Sequence, residues 1–225
     1  ITNALFNSVG GKKQFDEVSI LLDRTDKKDP NSNEEAMASL RISVKSKDPD
    51  LVGRMFTAKM IELALANYPG FFTGGGVRSG GPVLVYWPAL IDSKHIKETV
   101  HIDGKEIDVM PTNQLELDET YYQKQPIEIP PPPSGETLNK PLGELFGARS
   151  GDKGGCANIG VWAKNENAFS FLNKYLTVEK IKELMPDISE FEIDRYELPN
   201  ILSLNFYIHD ILEDGVSSNT RKDGQ

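Results

Sequence analysis

The segment at residues 147–164, GARSGDKGGCANIGVWAK, holds side chains suited to binding an anion. Arg149 offers a planar fork of donors for a carboxylate or phosphate, and Lys153 supplies a movable point charge. The glycines among them allow the backbone to approach a ligand closely, and successive N–H groups in such a loop can form an anion-binding nest. The segment therefore predicts an anion-binding loop. A solvated turn is the alternative, because Gly-Asp-Lys-Gly is common turn chemistry.

Two residues of this segment are candidates for catalysis. Asp152 can orient a cation or transfer a proton, and Asn158 can donate to and accept from an acyl oxygen. For Asn158 the alternative is a bond that closes the loop onto its own backbone. The residues expected to hold an anionic substrate are Arg149, Ser150, Gly151, Lys153, Gly154, Gly155 and, from a second glycine cluster, Arg78.

That second cluster, residues 74–81, reads GGGVRSGG. It follows a predicted helix instead of preceding one, so its order does not fit a dinucleotide-binding or phosphate-binding glycine loop. We expect either a substrate lid that carries Arg78 or a flexible connection. If the two glycine loops meet in the folded protein, their arginines could share one anionic ligand.

The single cysteine and the three histidines add weaker candidates. Cys156 lies in the glycine segment near two cations, but we do not expect thiolate chemistry to carry the reaction. The histidines lack the spacing of a metal site, so no metal ligands are predicted. His209 precedes Asp210, which permits a His–Asp pair, and a strand-end histidine without a catalytic role is the alternative. Glu197 is a further acid–base candidate.

The run ARSGDKGGCANIGVWAK closely resembles the ARSGDKG-x-x-AN-[IV]-G signature of the C-terminal domain of AtuA-like proteins, named for acyclic terpene utilisation. Residues 183–225 resemble the rest of that domain, with a Pro-containing helix end, a Tyr-Glu-Leu-Pro-Asn segment and a Gly-Val-x-x-x-x-Arg-x-Asp close. Residues 40–91 resemble the end of the large core domain that precedes it. The similarity touches most of the chain.

The resemblance implies a ferredoxin-like C-terminal domain and a role in the catabolism of branched or acyclic carbon skeletons handled as acids or CoA thioesters. We therefore expect a catabolic protein that acts on a small branched acid or its CoA thioester, an enzyme whose reaction class is unassigned. The alternative is a non-catalytic assembly or interaction domain of a larger complex. No cofactor motif is evident, and a CoA thioester would be a substrate.

The amino-acid composition limits which binding partners and which cellular compartment are expected. A net charge of −9 and a pI near 4.9 argue against nucleic acids and anionic membranes as partners. One cysteine fits a reducing compartment, and we expect a cytoplasmic location. Small sheets with open edges pair readily, so a homo-oligomer is expected. The family's core domain would begin before Ile1, so the rest of the protein's own chain is an expected partner as well.

The elements predict an α+β protein in two units. Residues 1–125 would form the mixed-sheet end of the core domain, and residues 141–225 a ferredoxin-like sandwich. Residues 126–140 would be a Pro-rich linker, because four consecutive prolines, Pro130–Pro133, favour a semi-rigid polyproline spacer. An SH3-type ligand is the alternative reading of the prolines.

Hydrophobic patterns and capping residues predict the individual elements. Strands are expected at residues 17–23, 39–45, 82–91, 99–102, 106–109, 157–163, 191–198 and 201–208. Helices are expected at residues 49–68, with Asp48 as cap, and at residues 168–175 and 178–184, with Thr177 capping the last.

Overall fold

A computed structural model of the protein describes residues 1–65, 70–75, 79–109, 128–136 and 138–222. The chain forms two compact units, Ile1–Val83 and Leu84–Gln225. Each contains both helices and strands, so the α+β prediction is confirmed. The predicted boundaries at residues 125 and 140 stay predictions, and residues 110–127 lie outside the described part of the chain.

The first unit is built around one hairpin and a short aromatic core. Helix α1 spans Thr2–Ser8, and the two predicted strands, β1 (Glu17–Asp23) and β2 (Ser39–Lys45), pair with each other in antiparallel register. The rings of Phe6, Phe15 and Phe56 pack with centroids 5.4–5.8 Å apart. The core is completed by Leu5, Val9 and Leu51.

The helix predicted from Pro49 onward is divided into α2 (Pro49–Val52) and α3 (Arg54–Leu65). The predicted start is confirmed, because the Asp48 carboxylate accepts a hydrogen bond from the Asp50 amide at 3.0 Å. Gly53 interrupts the helix with ψ −135°, and a Cβ there would lie 2.9 Å from the carbonyl oxygen of Pro49. A single continuous helix was therefore the wrong prediction, and its expected end at Tyr68 lies outside the described residues.

The prediction of a buried strand at residues 82–91 is wrong. These residues form neither a helix nor a strand. Their large side chains are exposed, Trp87 by 84% of its surface. Pro82 and Pro88 have no N–H to donate to a ladder, which removes the hydrogen bonds that a central strand needs. The strand was predicted from apolar composition alone, which does not supply the hydrogen bonds of a ladder.

A hairpin follows, formed by β3 (Glu98–Ile102) and β4 (Lys105–Val109) as predicted. Its two-residue turn consists of Asp103 and Gly104, with φ values of 49° and 72°. Positive φ at both central residues is the geometry of a type I′ turn, which Asp-Gly favours.

The C-terminal part of the second unit is an antiparallel four-stranded sheet with two helices on one face. The elements in chain order are β5 (Phe146–Lys153), β6 (Cys156–Ala163), α4 (Glu166–Tyr175), α5 (Val178–Leu184), β7 (Ile193–Leu198) and β8 (Ser203–Ile208). The strand order is β5-β6-β8-β7, so β5 and β7 are the edges. Predicted strands and helices are confirmed here to within two residues, apart from β5.

Local signals and packing agree in this sheet. The Thr177 hydroxyl accepts from the Lys180 amide at 3.1 Å, confirming the predicted cap of α5. Helices and sheet share one core, in which Leu172, Leu204 and Phe206 are fully buried. Because side chains alternate along a strand, this core covers one face of the sheet, and the part of the chain that the structure describes leaves the other face open.

The proline tract begins against this sheet domain. Ile129 packs on its core, and Pro132 is half-buried beside the exposed rings of Phe171 and Tyr175. The tract was predicted to be a spacer, and Ile129, which precedes the prolines, packs on the C-terminal core. Thr137 lies outside the described residues.

Candidate functional site

The site begins with β5, which replaces the loop predicted at residues 147–155. Residues 146–153 pair with β6 along their whole length, and only Gly154 and Gly155 form the turn. Gly154 has φ 67°, as the first central residue of a type II′ turn requires. In an antiparallel strand successive N–H groups point to opposite edges and cannot converge on one anion. The backbone nest is therefore a wrong prediction, and any anion must be held by side chains.

The turn glycines have a packing role. A Cβ on Gly155 would overlap the carbonyl oxygen of Glu213, and the Leu212 amide donates to the Gly155 carbonyl at 2.8 Å. A Cβ on Gly154 would lie 2.6 Å from the ring of Tyr86. The close approach predicted for these glycines exists, but the neighbours in contact are other parts of this chain.

Four of the predicted residues share the open face of the sheet, which we define as the face opposite α4 and α5. They are Arg149, Gly151, Lys153 and Asn158, which alternate on β5 and β6. Gly151 is paired with Asn158, and a Cβ on it would lie 3.4 Å from Lys153 Nζ and 3.7 Å from Asn158 Oδ1. The missing side chain of Gly151 thus leaves a notch bordered by an ammonium group and an amide oxygen.

Other predicted residues are not brought to this notch. Ser150 and Asp152 alternate onto the opposite face of β5, so Asp152 does not meet Asn158. Asp152 lines a separate cavity of about 230 Å³ with Tyr86 and Gly215. Arg78 lies outside the described residues.

Asn158 bonds across the sheet and not to its own backbone. Its Nδ2 group donates to Asn205 Oδ1 on β8 at 2.7 Å. Asn205 is paired with Gly160, which in turn is paired with Arg149. Because residues 151 and 160 are glycines, neither places a side chain on the sheet surface between Arg149 and the two amides. One hydrogen bond between two amides leaves an NH₂ group and an oxygen able to bind a further partner.

Sequence reasoning missed the polar cluster at the other side of the same face. His209 Nε2 lies 2.9 Å from Asp194 Oδ2, and the Tyr196 hydroxyl donates to that oxygen at 3.3 Å. The partner of His209 is thus Asp194 on β7 and not the adjacent Asp210. Alternating polar residues along β7 and β8 were the available signal, since Asp194 is paired with Tyr207 and both face outward.

Electrostatics follow from these contacts. The hydrogen bond to Asp194 raises the pKa of His209 above its ordinary 6.5, and the same bond lowers the pKa of Asp194 below 3.8. The ring of Tyr207 meets that of His209 edge to face at 4.9 Å. A hydrogen bond between Tyr207 and the Cys156 thiol raises the pKa of Tyr207.

Two remaining candidates are explained by structural contacts. The Asp210 amide lies 3.5 Å from Cys156 Sγ, so the half-buried thiol accepts from the loop after β8. Glu197 forms an ion pair with Arg195 at 2.6 Å on the helix-covered face. Arg195 also donates to the carbonyl oxygens of Asn173 and Leu176, which ties β7 to α4.

Neither a metal cluster nor a bilayer-crossing helix is found in the described part of the chain. No three His, Cys, Asp or Glu side chains are grouped there so that they could hold an ion. Its helices are too short or too polar to cross a bilayer.

Comparison with known families gives two matches. Residues 1–102 match the model of the acyclic terpene utilisation family protein AtuA, and residues 140–225 match the AtuA ferredoxin-like domain. No curated protein matches the chain, and no solved structure does. The second match covers all four strands of the sheet that carries the open face. The chain belongs to the acyclic terpene utilisation family, and its C-terminal sheet is the family's ferredoxin-like domain.

Proposed function

We propose that this protein binds a small branched acid, free or as its CoA thioester, on the open face of the ferredoxin-like sheet and acts in its catabolism in the cytoplasm. One observation carries the proposal. Arg149, Lys153 and Asn158 lie on one face of the β5–β6 hairpin, around the notch at Gly151. The family match supports a role in acyclic terpene utilisation.

The two cations suit the anionic part of such a ligand. Arg149 can bind a carboxylate or phosphate through two parallel N–H groups, and Lys153 adds a charge two residues along the same face. Lys153 Nζ donates to the neighbouring carbonyl of Asp152 at 2.8 Å, which uses one of its three protons. Two protons remain for a ligand at the notch.

The paired amides suit the acyl oxygen. Asn158 and Asn205 hold each other in place, and the pair keeps one donor and one acceptor for a ligand. A donor fixed in this way favours an oxygen whose negative charge grows during a reaction. Asp152 is left out of this site because its side chain lies on the other face.

Isothermal titration calorimetry tests the proposal with isovaleric acid and isobutyryl-CoA as ligands. Arg149→Ala should weaken binding about tenfold to a hundredfold, because a charge-assisted hydrogen bond is worth about 1.5–3 kcal/mol. Lys174→Ala on α4 is the matched control, since it removes the same charge from another exposed position. Equal affinity in the two variants, or no binding by the wild type, would overturn the ligand site.

An assembly role is the second candidate, and exposed side chains favour it. Trp162, Tyr196 and Leu198 are 43%, 47% and 37% exposed and lie toward one end of the open face. The edge strands β5 and β7 can also add strands from another chain. Light scattering after size-exclusion chromatography would show an oligomer that Trp162→Ser dissociates. A monomer in the wild type would exclude self-assembly.

A further inference from the structure

The polar cluster on β7 and β8 faces the same side of the sheet as the proposed ligand site. Across the sheet, Gly151 is paired with Asn158, Asn158 with Tyr207, and Tyr207 with Asp194. One row further, Lys153 is paired with Cys156. His209, which directly follows the end of β8, lies in the same row on the other side of Cys156. The open face therefore has cations on β5, amides in the middle and an imidazole–carboxylate pair at the far side.

The order of groups across this face suits one thioester. Lys153 and His209 are two strands apart in the same row, which is about 10 Å between backbones at about 4.8 Å per strand. The pantetheine arm of a CoA thioester is flexible and longer than this distance, so a thioester with its phosphates near Lys153 can place its acyl carbons at the imidazole when the arm is folded. Between them, Asn158 and Asn205 can bind the carbonyl oxygen.

His209 is oriented for proton transfer. Its Nε2 is bonded to Asp194, so a neutral ring donates Nε2–H to the carboxylate and leaves Nδ1 as the acceptor. The Tyr196 hydroxyl holds the same carboxylate oxygen, and Tyr207 packs edge-on against the ring. His209 keeps 33% of its side chain exposed, so solvent or a ligand can reach it.

We propose that His209, oriented by Asp194, is the general base of the open face and removes the proton from the carbon next to the thioester carbonyl. This inference rests on the proposed ligand site. The C–H bond breaks, its electron pair moves into the enolate, and the proton passes to Nδ1. Return of a proton from Nδ1 to the carbon restores the thioester, so the step is balanced without a further reactant.

The surrounding charges set the pH at which His209 is neutral. Asp194 raises the pKa of His209 most, and the nearby carboxylates of Glu192 and Asp210 add to it. Of the other titratable groups nearby, Tyr207 packs against the ring, Tyr196 bonds to Asp194, and Cys156 bonds to Tyr207. The base form of His209 therefore accumulates only as pH rises above 6.5.

Hydrogen–deuterium exchange at carbon tests this step in the whole protein. Isobutyryl-CoA carries one proton on the carbon next to its thioester carbonyl. The loss of this proton signal in D₂O can be followed by proton NMR. The wild type should exchange it with a rate that rises through a midpoint above pH 6.5. His209→Gln should exchange at least about 100-fold more slowly, in the range measured for lost acid–base groups.

Two variants separate the base from a structural role. Asp194→Asn should move the midpoint of the pH–rate profile to lower pH, because the carboxylate that raises the histidine pKa is gone. His101→Gln changes an exposed histidine of the β3–β4 hairpin and should keep the wild-type rate.

Calorimetry with the same thioester makes the two proposals distinguishable. Binding by the wild type without exchange, or His209→Gln exchanging at the wild-type rate, would overturn the base and leave the ligand site standing. Failure of the wild type to bind would overturn both. Binding by His209→Gln with exchange abolished is the result expected.

Discussion

The carbonyl oxygen of Glu213 occupies the place that a Cβ on Gly155 would take, so no side chain could fit there. The adjacent Leu212 amide donates to the Gly155 carbonyl at 2.8 Å, so the loop after β8 is fixed to the β5–β6 turn at two successive points. This contact connects the turn to the segment that follows His209. The turn glycine is thus needed for packing within the protein.

Gly155→Ala should destabilise the C-terminal domain by about 1–3 kcal/mol, the usual cost of forcing an extra carbon into a packed site. The obstacle is backbone, which cannot rotate away as a side chain can. Chemical denaturation followed by circular dichroism measures the loss. Gly143→Ala is the control, since no atom lies within 4 Å of a Cβ placed there. Equal stability of both variants would contradict the packing role.

Stability should depend on pH through the Asp194–His209 pair. The raised pKa of His209 means that its contribution is fully present below 6.5 and is lost as pH rises through the folded-state value. The lowered pKa of Asp194 means that its contribution is present above 3.8 and is lost as pH falls through its folded-state value.

Asp194→Asn should therefore reduce the free energy of unfolding most between about pH 4 and 6.5 and less at pH 8. Urea denaturation at several pH values measures the difference from the wild type. His209→Gln should remove the pH dependence of the free energy of unfolding that this pair causes between pH 6 and 8, because the titrating ring is absent. A difference that stays constant from pH 5 to 8 would contradict the coupling.

Cys156→Ser should retain both ligand binding and proton exchange. A hydroxyl can accept from the Asp210 amide and bond with Tyr207 as the thiol does, whereas thiolate chemistry is removed. Calorimetry and the exchange assay with isobutyryl-CoA measure the two properties. Loss of exchange in a variant that still binds would identify the thiol as a reacting group.

The proline tract should be cut by proteases after the prolines and not within them. Ile129 packs on the core of the sheet domain and Pro132 lines a cavity with Phe171, while residues 134–136 are exposed. Among the described residues of the tract, Glu136 gives a protease selective for glutamate an exposed target, and mass spectrometry locates the cut. Phe171→Ala should speed cleavage nearer Ile129. Early cleavage at Glu128 in the wild type would show that the tract is not held.

Sequence patterns alone determined most of the local elements of this protein, apart from β5, the break at Gly53 and the absence of a strand at residues 82–91. A run rich in Val, Ile and Leu placed β1 at its observed ends, alternating apolar residues did the same for β2, and Thr177 marked the start of α5. The ARSGDKG signature also led to the family. These signals succeed because periodicity, capping and motif chemistry depend on residues a few positions apart.

The tertiary structure decided which side chains share a face. Pairing with β6 turned the supposed loop into β5 and separated Asp152 from Asn158, since neighbouring residues of a strand point to opposite sides. Pairing of β7 with β8 brought Asp194 to His209 across 15 positions of sequence. Such partners are fixed by the register between strands, and register depends on the packing of the whole sheet against its helices.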